Sequence, residues 1–160
     1  MSEKMDGIRA YWDGGKLLSR YGNELSGPGW FTAGLPITLT LDGELWMGQD
    51  TSFENINSIL RSKTGDWSQI QYYVFDLPSS VGPFETRLEE MKRLKAIFPS
   101  HVHIVKHQKC EGISHLMEYL TSILTNRGEG VIVRQPQTHY IKGHTTSILK
   151  VKVSSVSRIR

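Results

Sequence analysis

KMDGIRAYWDGGKLLS, residues 4–19, begins with a lysine and continues into the pattern of a β-hairpin. Apolar and polar side chains alternate from Ile8 to Asp13, as they do in a strand with one buried face. The turn residues Asp13-Gly14-Gly15 follow, and Lys16 to Ser19 can form the returning strand. The stretch therefore predicts two antiparallel strands directly after Lys4.

The same periodicities mark the rest of the chain. They predict strands at residues 37–41, 44–46, 70–77, 102–106, 131–133 and 148–153, with a turn at Asp42-Gly43. They predict amphipathic helices from a cap at Thr51 to near Gly65, over residues 84–98, and over residues 113–124. Strands outnumber helices, and the two do not alternate regularly. The fold class is therefore α+β, with mainly antiparallel sheets flanked by helices.

Length, net charge and cysteine content indicate the number of domains, the kind of partner and the cellular compartment. A length of 160 residues fits one domain, which we place at residues 1–160. The net charge of +3 is only weak evidence for a polyanionic partner. A single cysteine, Cys110, fits a reducing compartment, and no apolar run reaches the ~18 residues of a membrane span. We expect a soluble, intracellular monomer without a membrane partner, in the cytoplasm, the nucleus or an organelle.

The strongest chemical signal is Lys4-x-Asp6-Gly7-x-Arg9. Lysine is a poor nucleophile near neutral pH because its amine is protonated, so its use requires burial or neighbouring cations. Lys150 and Lys152, two residues apart on a predicted strand, offer two such cations on one face. An isolated match of this kind is more often a turn that carries a solvated lysine.

Four further elements follow in a fixed order, although each alone is more often structural. They are Asp42-Gly43-Glu44-Leu45, Phe75-Asp76, Glu129-Gly130-Val131 and Leu149-Lys150-Val151-Lys152. With the lysine element they resemble motifs I, III, IIIa, IV and V of the covalent nucleotidyltransferases, which comprise DNA ligases, RNA ligases and mRNA capping enzymes. The residues within and beside these motifs are similar to those of the ATP-dependent DNA ligases, and most of all to those of the minimal ligases of bacteria, organelles and viruses. The resemblance implies an ATP-grasp-like nucleotidyltransferase (adenylation) domain.

The resemblance also implies roles for residues of the nucleotide site. Lys4 would be the nucleophile that becomes attached to AMP, and Arg9 would contact the ribose. Glu44 would hold the ribose hydroxyls, and Phe75 would stack on the adenine.

The remaining implied roles concern phosphates and metal. Lys150 and Lys152 would grip the α-phosphate, and Glu129 would bind the catalytic divalent ion, Mg²⁺ or Mn²⁺. Arg20, in the Ser19-Arg20 element, would contact the 5′-phosphate of a DNA nick. Oxygen ligands such as a carboxylate suit a hard cation. The absence of a G-x-x-x-x-G-K-[ST] loop fits a covalent route for ATP.

The implied function is that of an ATP-dependent DNA ligase core acting on nicked duplex DNA. Ligases carry a C-terminal OB-fold domain, which we expect in a full-length parent and which these residues lack. Only three residues precede Lys4, so we expect truncation at the N-terminus as well, and weak activity of the isolated chain. An RNA ligase or a capping guanylyltransferase is the alternative within the fold. A non-catalytic nucleotide- or nucleic-acid-binding remnant is the alternative of another class.

Overall fold

The computed structural model of the protein describes residues 1–153, and residues 154–160 lie outside it. Two sheets and four helices make up the described part. The strands are β1 (Ser2–Lys4), β2 (Ile8–Trp12), β3 (Leu17–Ser19), β4 (Leu41–Trp46), β5 (Gln71–Asp76), β6 (Val102–Ile104), β7 (Gly130–Arg134) and β8 (Ile148–Val151). The helices are α1 (Gly29–Thr32), α2 (Phe53–Arg61), α3 (Phe84–Leu94) and α4 (Ile113–Thr125). The α+β class is confirmed.

The larger sheet contains five strands in the order β3-β2-β4-β5-β6. The predicted hairpin of β2 and β3 is confirmed, and only the β5–β6 pair among the described strands of this sheet is parallel. Helices α2 and α3 pack against the sheet, because Ile56 of α2 and Met91 of α3 share one buried cluster with Ala10 and Tyr72 of the strands. This core covers one face of the large sheet, and most side chains on the opposite face do not belong to it.

The predicted turn at Asp42-Gly43 is wrong. Strand β4 passes straight through both residues, pairs with β2 on one side and β5 on the other, and shifts register between them. A side chain at Gly43 would place its Cβ 2.5 Å from the carbonyl oxygen of Tyr73 and 2.7 Å from the Tyr72 ring. Glycine is therefore required here for close strand and ring packing rather than for a turn.

The start and end of helix α2 also differ from the prediction. Ser52, not Thr51, is the N-cap, and its hydroxyl accepts a hydrogen bond of 3.3 Å from the amide of Asn55. The helix ends at Arg61, short of Gly65. Neighbouring serine and threonine residues are both good caps, so spacing alone does not select between them.

The smaller sheet has the order β1-β7-β8 and is antiparallel throughout. Helix α4 covers it, and Leu120 and Ile123 of the helix form a small buried cluster with Val131 of β7. Strand β1 pairs Lys4 directly with Gly130. Within residues 1–153, no helix has the length and apolar character needed to cross a membrane.

Candidate functional site

Two lysine side chains of the small-sheet region, Lys4 and Lys152, meet at the carboxylate of Glu129. Lys4, the last residue of β1, donates through Nζ to Oε2 of Glu129, which directly precedes β7. The Nζ atom of Lys152 lies 3.5 Å from the other carboxylate oxygen. Only 16% of the Lys4 side chain is exposed. A carboxylate thus lies between two ammonium groups, one of them largely shielded from solvent.

Glycine at position 130 allows this grouping. A Cβ there would collide with the carbonyl oxygen of Val151 and would lie 3.0 Å from the Cβ of Lys152. The close approach of β7 and β8 places Lys152, one residue beyond the end of β8, next to Glu129. The prediction that Lys152 lies on the strand is therefore wrong by one residue. Lys152 nevertheless lies close to Lys4, since both pair with Glu129.

A cavity of about 200 Å³ opens beside Lys4. The carboxylates of Asp6 and Glu129 line it together with the lysine. Two polar contacts bridge the sheets at its rim: Gln49 donates to Glu3 at 2.7 Å, and Arg127 pairs with Asp50 at 2.6 Å. Its lining is about equally polar and apolar, with Trp46 on the apolar part, and it offers both a cation and hard oxygen donors.

The space between the two sheets, with Lys4 and Glu129 on one side and Arg9 and Glu44 on the other, is called the groove. Arg9 lies on its large-sheet side and is held by a buried carboxylate. Its Nε and Nη2 donate to the two oxygens of Asp42 at 3.0 and 2.6 Å, and the hydroxyl of Tyr140 donates to the same carboxylate at 2.8 Å. The Asp42 side chain is 1% exposed, whereas that of Arg9 is 44% exposed. The Arg9 guanidinium carbon lies 5.7 Å from the centre of the Phe75 ring. The exposed part of Arg9 and the half-buried ring of Phe75 form one surface.

Glu44 is the cross-strand partner of Arg9, and burial dominates its titration. Burial raises the pKa of Glu44 from its ordinary 4.5 to about 7, against the opposing influence of Lys4, the amide of Gly7 and Arg9. Gly7 is close because a Cβ there would meet the Leu45 carbonyl and would lie 2.8 Å from the Cγ of Glu44. Glu44 therefore faces the charges of both sheets and titrates near neutral pH.

The raised pKa of Glu44 predicts a pH-dependent gain in stability for Glu44→Gln. Where the folded pKa exceeds the unfolded value, the cost of ionising the buried group is absent below pH 4.5 and fully present above pH 7. Glu44→Gln should therefore raise the free energy of unfolding at pH 8 by up to about 3 kcal/mol and change it little at pH 4.5. Urea unfolding at both values tests this, with the exposed Glu54→Gln as the matched control. An equal effect at both pH values would contradict it.

A second buried carboxylate, Asp76, ties the two sheets together next to Phe75. Arg87 of α3 donates to both of its oxygens at 2.6 and 3.2 Å, and Arg134 at the end of β7 donates at 2.7 Å. Arg134 also stacks over the ring of Phe84, with 4.2 Å between the guanidinium carbon and the ring centre. The Arg87 and Asp76 side chains are almost fully buried. The strand that carries Phe75 is thus fixed to the strand that follows Glu129.

Two predicted site residues lie apart from these groups. Lys150 is on β8 and exposed, and it makes no side-chain hydrogen bond or ion pair with any residue from 1 to 153. Arg20 is exposed in the turn after β3, the edge strand of the large sheet. The structure therefore brings together Lys4, Glu129 and Lys152, and separately Arg9, Glu44 and Phe75.

The sequence reasoning missed four residues that shape the site: Asp42 as the partner of Arg9, Tyr140, and the pair Arg87 and Arg134. For Asp42, and for the arginines that pair with Asp76, there was a signal, since an aspartate inside an apolar strand must find a cationic partner. Asp42 and Asp76 both have that placement. Nothing in the local pattern identified Tyr140, which lies 98 residues from Asp42 along the chain.

Comparison with known proteins identifies the family of the chain. Residues 1–152 match the model of the ATP dependent DNA ligase domain. A DNA ligase of Haemophilus influenzae is 36% identical over 156 residues, which is 96% of this chain and 58% of that protein. The chain thus spans a little over half the length of this relative.

Solved structures agree with the sequence matches. One from a structure-function analysis of Lig E DNA ligases superposes with a TM-score of 0.87 at 34% identity, covering 95% of this chain and 60% of the other. The adenylate of Chlorella virus DNA ligase superposes with a TM-score of 0.77 at 25% identity, covering 94% and 59% respectively. The match over nearly every described residue shows that the chain belongs to the family of ATP-dependent DNA ligase domains.

Proposed function

We propose that this chain is the catalytic core of an ATP-dependent DNA ligase. Lys4 Nζ attacks the α-phosphorus of ATP, a phosphoramide bond to AMP forms, and pyrophosphate leaves. AMP then passes to the 5′-phosphate of a nick in duplex DNA, and the 3′-hydroxyl displaces AMP as the phosphodiester bond closes. The observation that carries this proposal is the grouping of the shielded Lys4 with Glu129 and Lys152 beside a cavity that Lys4, Asp6 and Glu129 line.

The Lys4–Glu129 pair has to open before the lysine reacts. A lysine attacks only as the free amine, and the hydrogen bond to the carboxylate occupies Nζ. Negative charge builds on the oxygens of the α-phosphate during attack, and cations aimed at that position stabilise it. We propose that Lys152 and Lys150 supply these cations; the 3.5 Å separation of Lys152 Nζ from Glu129 and the exposure of Lys150 on β8 support this. In-line placement of the pyrophosphate opposite Nζ completes the requirement.

The donor set beside Lys4 fits a magnesium ion. The carboxylates of Asp6 and Glu129 line one cavity. Within residues 1–153 no group of three or more His, Cys, Asp or Glu side chains could hold a metal by itself, so the ion would need ligands other than the protein. Mg²⁺ typically takes one or two carboxylates and completes its shell with substrate phosphates and water. We propose that Glu129 would hold Mg²⁺ or Mn²⁺, and the bound ion would supply charge neutralisation at the phosphates.

The adenosine half of ATP is proposed to occupy the large-sheet side of the groove. Phe75 would stack on the adenine, while Arg9 and Glu44 would hold the ribose. The half-buried Phe75 ring and the partly exposed Arg9 support this, since a ligand can reach both. Arg20, exposed at the edge of the same sheet, would meet the 5′-phosphate of the nick.

Phe75→Ala is expected to weaken ATP binding by about 1–3 kcal/mol, because the adenine loses its stacking partner. Phe75→Tyr and Phe75→Trp keep an aromatic face and should bind ATP nearly as well as the parent. Equilibrium titration with ATP measures the difference. Phe53→Ala, which removes an exposed ring of α2, is the control and should leave affinity unchanged. Equal affinity in all Phe75 variants would make the ring a packing residue only.

Intact mass spectrometry after incubation with ATP and Mg²⁺ tests the proposed function. One AMP adduct per chain is expected, located on Lys4 by peptide mapping. An adduct from GTP in place of ATP would indicate a capping guanylyltransferase, and sealing of nicked RNA in preference to DNA would indicate an RNA ligase. ATP binding without any adduct would favour the non-catalytic remnant.

A further inference from the structure

Tyr140 lies outside all the sequence motifs, in the segment 135–147 between β7 and β8, yet it reaches the nucleotide side of the groove. Its hydroxyl donates to Oδ2 of Asp42 at 2.8 Å. The same oxygen accepts from Nη2 of Arg9 at 2.6 Å, and Oδ1 accepts from Nε of Arg9 at 3.0 Å. Within residues 1–153, no other side chain donates to this carboxylate. Tyr140 and Arg9 together hold Asp42.

The segment that carries Tyr140 is anchored at two further points. The amide of Gln137 donates to both carboxylate oxygens of Glu85 at 3.1 Å, and Nη1 of Arg87 donates to the carbonyl of Thr138 at 3.1 Å. Both anchors belong to α3, which packs on the large sheet. The Tyr140 hydroxyl is therefore presented to Asp42 by a fixed backbone.

We propose that Tyr140 is a positioning residue for the nucleotide, which fixes the guanidinium of Arg9 beside Phe75 by holding the orientation of Asp42. The inference rests on the proposed function, in which Arg9 and Phe75 bind adenosine. Arg9 is 44% exposed, so its long side chain would lose several rotamers on binding ATP unless the carboxylate had already selected one. Burial, and then the Asp42 carboxylate, raise the pKa of Tyr140, so its hydroxyl remains a donor at any working pH.

Tyr140→Phe tests the role because it removes one hydroxyl and keeps the ring. The rate of AMP-adduct formation is measured against ATP concentration with the full chain. We expect the half-saturating ATP concentration to rise about 3–10-fold, the effect of one hydrogen bond of ordinary strength, because the lost bond acts on ATP only through Arg9. We expect the rate at saturating ATP to stay within about twofold, because preorganisation affects binding more than the chemical step. Tyr21→Phe, which removes an exposed hydroxyl, should change neither value.

A double-variant comparison shows whether Tyr140 acts through Arg9. Arg9→Lys keeps a cation near Asp42 and loses the two-point contact, so adding Tyr140→Phe to it should raise the half-saturating concentration little further. Fully additive effects, or a normal half-saturating concentration in Tyr140→Phe, would overturn the inference while leaving the proposed function intact.

Two outcomes remain, and each is decisive. Loss of the fold in both Tyr140→Phe and Tyr140→Gln, checked by thermal melting without ATP, would mean that the residue supports the fold and would overturn the positioning role. Absence of an adduct in the parent chain would remove the proposed function and, with it, this inference.

Discussion

Lys4→Ala is expected to abolish the AMP adduct, with a loss of rate on the order of 10⁴-fold or more, as for removal of other covalent nucleophiles. The fold should be retained because Lys4 belongs to neither buried cluster and Glu129 keeps Lys152 as a partner. Lys4→Arg should fail equally, since a guanidinium remains protonated and cannot attack, although it preserves the pairing with Glu129. Intact mass after incubation with ATP measures the adduct, and thermal melting measures the fold.

The matched control for this experiment is Lys16→Ala. Lys16 also pairs with a glutamate, Glu24, at 2.8 Å, but both side chains are exposed and lie on the far side of the hairpin turn. Its removal should leave adduct formation unchanged. Normal adduct yield in Lys4→Ala, mapped to another lysine, would place the nucleophile elsewhere in the chain.

Asp76→Ala is expected to reduce the free energy of unfolding by about 3–5 kcal/mol, because it leaves the buried guanidinium of Arg87 without a counter-charge. Arg134 would lose the same partner, and its Nε already has no hydrogen-bond acceptor among the described residues. For a chain of this length the loss corresponds to a fall in melting temperature of roughly 6–20 °C. Urea unfolding and calorimetry measure it.

Asp50→Ala provides the comparison, because it removes an aspartate–arginine pair of the same 2.6 Å length at the surface. The side chains of Asp50 and Arg127 are 81% and 78% exposed, so water replaces the lost contact. The expected change is about 0–1 kcal/mol. Similar losses in both variants would show that burial of Asp76 is not what makes its pairs important.

The parts of the fold predicted from sequence are those that local chemistry determines. The Asp13-Gly14-Gly15 turn closes its hairpin because Asp13 accepts hydrogen bonds from the amides of Gly15 and Lys16, all within three residues. Asp42-Gly43 offers the same letters, but there β2 and β5 pair on either side and Tyr72 covers the glycine. Tertiary pairing outweighed the local turn preference, and no local pattern could have shown it.

The candidate site, too, was predicted from the sequence only in part. Lys4 and Glu129 were predicted as site residues from the order of motifs, and the register of β1 with β7 places them side by side. The roles assigned to them remain predictions. The contacts of Asp42 with Tyr140 and of Asp76 with Arg134 join residues 98 and 58 positions apart. Such contacts follow from how the two sheets face each other, which one sequence does not reveal.

The two sheets are fastened unequally along the groove. At the end near Phe75 the ties are the contacts of Tyr140 with Asp42 and of Arg134 with Asp76, two buried carboxylates that water and dissolved ions reach poorly. At the end near Lys4 the Arg127–Asp50 pair is almost fully exposed, so mobile ions screen it at physiological ionic strength. Thermal opening of the groove should therefore pivot about the end near Phe75 and be widest beside Lys4. Raising the salt concentration would widen the motion there and leave the pivot in place.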